Sequence, residues 1–64
     1  MDTEQDVIYM RICQMVGRAV MLLNESKHNV TSERISAILK EQRESERDKQ
    51  SIAIYGIAID LMGG

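Results

Sequence analysis

Apolar residues return along the chain with helical spacing. Ile8, Ile12, Met15, Ala19 and Leu22 follow one another at steps of 4, 3, 4 and 3, and Val16, Val20 and Leu23 widen the stripe. That period predicts an amphipathic α-helix over about 4–24. A second apolar line, Met10, Cys13, Gly17 and Met21, runs beside the first, and Arg11, Gln14, Arg18 and Glu25 leave only a narrow polar face. A helix apolar over most of its circumference has to be covered on more than one side. Thr3 suits the N-cap, with Asp6 three residues on, and Asp2, Glu4 and Asp6 set negative charge at the positive end of the helix dipole. Gly17 inside the helix is less favourable than alanine by about 1 kcal/mol. Close approach of another backbone, within a dimer or from a third helix, would account for it.

The polar run Asn24–Asn29 reads as the first loop and carries the only histidine, His28. A solvated loop position is the simpler account of that side chain than a pH sensor. A second helix follows over about 32–43. Thr31 suits its N-cap, Val30 and Ile35 stand at the two ends of a hydrophobic staple, and Ile35, Ala37, Ile38 and Leu39 form a short stripe. The stripe then stops. Lys40–Gln50 holds four basic and four acidic residues and no large apolar one. Lys40 with Glu44, and Glu46 with Lys49, have the spacing of helical ion pairs. Ser45 suits the N-cap of a third helix, with Asp48 three residues later.

The last apolar segment admits two local readings. Ile52, Ile54, Ile57 and Ile59 are β-branched and would suit a strand. A lone strand needs a partner, and nothing else in the chain reads as one. Ile52, Tyr55, Ile59 and Met62 fit one helical face that Ala58 and Leu61 broaden, so the segment is predicted as a helix of about 46–62. Gly63-Gly64 ends it, and a helix stop needs no conjugation role for those glycines.

With 64 residues the chain is one all-α domain, 1–64, of three helices. A chain of this size buries only ~60% of its unfolded surface, so its core is marginal without a staple. One cysteine and one histidine exclude an internal disulfide and a zinc site within one chain. That leaves a helical homodimer, or a larger partner. The residues predicted to form the core and dimer interface are Ile8, Ile12, Cys13, Met15, Val16, Gly17, Ala19, Val20 and Leu23. Five methionines, with no Trp, Phe or Pro, supply an adaptable apolar surface.

Charge and motifs narrow the function classes. A net charge of −2 opposes general affinity for phosphate backbones. Arg11, Arg18 and Arg34 could form a local basic patch in a dimer, which keeps a DNA-binding regulator as the second reading. Apolar runs fall well short of the ~20 residues that span a bilayer, and the N-terminus is acidic where a signal peptide is basic. The expected setting is the cytoplasm, without membrane insertion and with Cys13 reduced. There is no Gly-rich phosphate loop, metal-ligand spacing or nucleophile–base pattern, and the carboxylates lie among mixed charges. A non-enzymatic protein without cofactor or metal is expected. Arg43, Arg47 and Lys49, in the charged segment, are candidate contacts to a protein partner.

The run Gly17-Arg18-Ala19-Val20-Met21-Leu22-Leu23, then Asn29-Val30-Thr31, then Ile35-x-x-Ile38-Leu39, resembles the YmgB/AriR family of small enterobacterial proteins. That family shows a Gly-Gln-Ala-Val run in its first helix, then a polar loop, a short second helix, a charged break and an aliphatic last helix. Arg18 stands here where the family has Gln, and the lead-in before Gly17 is short. The likeness covers roughly 16–62. It implies an all-α dimer that connects to a two-component phosphorelay, the Rcs system, with effects on biofilm formation and acid resistance, and it brings in the DNA binding proposed for a family member. A histidine-kinase phosphorelay component is the partner it implies.

Overall fold

The computed structural model describes residues 4–64. Three helices follow in order, α1 (Glu4–Glu25), α2 (Ser32–Ser45) and α3 (Lys49–Leu61), and each packs against the other two. No strand occurs among the described residues. The β-branched isoleucines of the last segment are helical because that conformation turns Ile54, Ala58 and Ile59 together into the core. Their intrinsic preference, worth tenths of a kcal/mol per residue, yields to burial worth about 1.5–3 kcal/mol for each large side chain.

The core draws on all three helices. Ile12, Ala19 and Leu23 come from α1, Ile35 and Leu39 from α2, and Ile54, Ala58 and Ile59 from α3. Leu39 is fully enclosed at its centre. Ile8, Met15, Val16, Val20, Ile38, Tyr55 and Met62 pack around this nucleus.

The helix ends are set by local chemistry. Thr3, read as the first cap, lies outside the described residues. At the end of α1, His28 N–H donates to Leu23 O (3.0 Å) and Lys27 N–H to Asn24 O (3.1 Å), with Lys27 at φ +59°. This is a Schellman ending with a lysine in the left-handed position that glycine usually takes. Thr31 caps α2 as expected, its hydroxyl oxygen accepting from Arg34 N–H at 3.1 Å. Val30, at the outer end of the expected staple, stays 48% exposed.

The start of α3 differs from the sequence reading. Ser45 caps nothing; it ends α2, its hydroxyl lying 3.4 Å from Glu41 O and 3.3 Å from Gln42 O. The cap is Asp48, whose carboxylate accepts from Ser51 N–H at 2.9 Å. An anionic acceptor at the positive end of the new helix is the stronger of the two caps, and a serine hydroxyl is readily satisfied by the carbonyls of its own helix. Lys40, spaced for a pair with Glu44, reaches across to Gly64 O at 2.8 Å and ties α2 to the end of α3. That end is a second Schellman motif. Gly64 N–H donates to Ile59 O and Gly63 N–H to Asp60 O, with Gly63 at φ +93°.

Candidate functional site

The two apolar lines of α1 have different fates. Ile12, Ala19 and Leu23 of the first are buried, and Ile8, Met15, Val16 and Val20 are half-buried against the core. Cys13 and Gly17 of the second line are exposed. Met10 and Met21, on the same line, are 57% and 61% exposed, and Tyr9 beside them 65%. The nine residues expected to form core and interface therefore divide into seven that serve the fold and two that face outward. The outward strip continues onto α3 through Leu61, also 61% exposed. Between the two helices lies an apolar groove of about 390 Å³, lined by Tyr9, Ile12, Cys13, Val16, Gly17 and Leu61.

Gly17 is not a crossing point within the chain. Among the described residues nothing lies within 4 Å of a Cβ built there, apart from its own helix. The reason is angular: at 3.6 residues per turn Gly17 stands roughly 140° round α1 from Ile12, on the flank that neither α2 nor α3 covers. The expectation of a close approach by the third helix is corrected accordingly.

A polar network the sequence reading missed joins α1 to the start of α3. Arg11 Nη2 donates to Ser51 Oγ at 2.6 Å across 40 residues of chain, and the Ser51 hydroxyl donates to Asp48 Oδ2 at 2.9 Å. The Ser51 amide, then its hydroxyl, hold the Asp48 carboxyl below its ordinary range against the opposing pull of desolvation, and the Arg11 guanidinium adds a smaller push the same way. The available signal was Asp48-x-x-Ser51, a polar cap followed three residues on by a second polar side chain. Arg11 and Arg18 also share a shallow polar cleft with Gln14, Met15 and Tyr55. Arg34, the third member of the expected basic patch, has its guanidinium 3.2 Å from His28 Nδ1 in the first loop.

The candidate partner contacts follow the α2–α3 connection. Arg43 is half-buried in the last turn of α2, Arg47 lies exposed in the connector, and Lys49 is the exposed first residue of α3. No group of three His, Cys, Asp or Glu is placed to hold a metal ion among the described residues. None of their helices is long and apolar enough to cross a membrane. The arrangement presents an exposed apolar strip and exposed charged side chains among the described residues. No family model, no curated protein and no solved structure matches the chain.

Proposed function

We propose that this protein is a small non-enzymatic connector that works by contact with other proteins. It pairs with a second copy through the outward strip of α1. The dimer binds a signalling protein and adjusts the output of a two-component phosphorelay, with consequences for biofilm formation or stress response. The observation that carries the contact role is the strip itself: Tyr9, Met10 and Met21 are each more than half exposed and continuous with the apolar groove at Leu61. Contiguous exposed apolar surface marks interaction sites, and a chain this short gains most from covering it. The choice of a phosphorelay rests on the resemblance to the YmgB/AriR family alone.

A DNA-binding regulator is the second reading, favoured by the shared cleft of Arg11 and Arg18. DNA affinity that falls steeply as salt rises would establish it. The direct test of the first reading is sedimentation at micromolar concentration. The unaltered chain is expected to sediment as a dimer. Met21→Glu, at an exposed site, is expected to keep its helical circular dichroism and sediment as a monomer. A stable folded monomer for the unaltered chain would overturn the reading.

A further inference from the structure

We propose that the two α1 helices of this dimer run antiparallel, with the two-fold axis crossing the outward strip at the height of position 15 along the helix. Tyr9 then lies against the partner's Met21, Met10 against the partner's Val20, and Cys13 against the partner's Gly17. The proposal rests on the self-pairing through α1 argued above and adds its direction and register.

The strip is a palindrome in position and in size. In a two-fold contact, residue i meets j and j meets i. If the helices are antiparallel, every such pair is centred on the same point of the chain. Five outward residues and the half-buried Val20 at their edge form three pairs, Tyr9 with Met21, Met10 with Val20 and Cys13 with Gly17, and all three are centred on position 15. At 3.6 residues per turn the six occupy an arc of roughly 120°, the width of one helix-packing face. The outer pair joins two long side chains, the next sets Met10 against the shorter Val20, and the central pair joins the two smallest. Backbones can therefore approach at the centre while the flanks interdigitate. Gly17 has open space where a Cβ would stand, and that space suits the thiol of the partner's Cys13. Tyr9 at the flank meets a methionine, a favourable sulfur–aromatic contact of about 0.3–1.5 kcal/mol. That methionine enters beside the groove that Tyr9 lines with Ile12 and Leu61.

Charge selects the same direction. Parallel helices would lay Glu4 and Asp6 beside the same residues of the partner. Antiparallel helices set them beside the partner's Asn24, Ser26 and Lys27, and they also oppose the two helix dipoles. In this register the two Cys13 residues are offset by four residues along the axis. With helix axes 8–10 Å apart, their Cα atoms stand roughly 7–8 Å from each other. That is beyond disulfide reach, so the thiol serves packing.

The test uses two full-length single-cysteine chains, Tyr9→Cys and Met21→Cys, each combined with Cys13→Ser. Both positions are more than 60% exposed, so the core is untouched. Each chain is treated, alone and after mixing with the other, with a short bis-maleimide, because ideal helices at that spacing leave positions 9 and 21 of the two chains roughly 7–9 Å apart at Cα, past disulfide reach; sedimentation and circular dichroism are the controls. Mixing is expected to yield a cross-linked heterodimer in several-fold excess over self-linked product, and neither chain is expected to link efficiently to itself. Efficient self-linking of each chain, or association without any cross-linking, would overturn the register and leave the dimer standing. Failure of the unaltered chain to associate would overturn both.

Discussion

Two buried serines illustrate how a single hydroxyl changes sign with its surroundings. Ser51 is 7% exposed, and its hydroxyl both accepts from Arg11 and donates to Asp48. Ser36 is 4% exposed, and its hydroxyl has no hydrogen-bond partner among the described residues. Removing a satisfied hydroxyl that binds charged groups is expected to destabilise, by about 1–2 kcal/mol for Ser51→Ala. Removing an unsatisfied one relieves a desolvation penalty and improves helix propensity, so Ser36→Ala is expected to stabilise by about 1 kcal/mol. Urea denaturation of both variants measures the contrast. Asp48 adds a pH dependence of definite sign. Its folded carboxyl titrates below the unfolded value. Its contribution to stability is therefore complete above the unfolded value of ~3.9 and is lost as pH falls through the folded one. Asp48→Asn is expected to destabilise at neutral pH, and the gap from the unaltered protein is expected to narrow below about pH 4. Urea midpoints measured across that range check it.

Among the helices, the two Schellman endings carry the most direct consequence. Gly63 takes its left-handed conformation without steric penalty, whereas Lys27 takes the same role at φ +59° with a Cβ in the way. The hydrogen bonds from His28 and Lys27 to the last turn of α1 hold the lysine there. Lys27→Gly is expected to keep those bonds and to raise stability by about 0.5–1 kcal/mol, read from the thermal midpoint. The connector before α3 is the third punctuation point. There Asp48 and the Arg11–Ser51 bond together place the start of one helix against the side of another.

For the whole molecule, exposure divides by chemistry. An apolar strip runs along one flank of α1, and a mixed-charge ridge follows Arg43, Arg47 and Lys49 between α2 and α3. The strip suits a second copy. The ridge suits a partner of matching charge pattern, where rim charges tune association rate and selectivity. Reversing Arg43, Arg47 and Lys49 together to Glu is expected to leave the fold and the proposed dimer intact. Capture of the proposed signalling partner, and output of the proposed relay with it, is expected to fall most at low ionic strength, where screening is weakest. Full output from the triple variant at low salt would reduce the ridge to a linker.

Local signals were enough to read three helices from the chain, because period, cap and stop each act within a few residues: the stripe of Ile8–Leu23, the hydroxyl of Thr31, the glycine at 63. The same locality left two matters open that only packing decided. Both lines of α1 are apolar, and nothing within the helix says which one faces inward. The way α2 and α3 fold back chose the Ile12–Ala19–Leu23 line and left Cys13 and Gly17 outside. Ser45 and Asp48 are each competent caps. The contest was settled for Asp48 by how far α2 continued and by Arg11, a residue distant in sequence that the tertiary fold brings to Ser51.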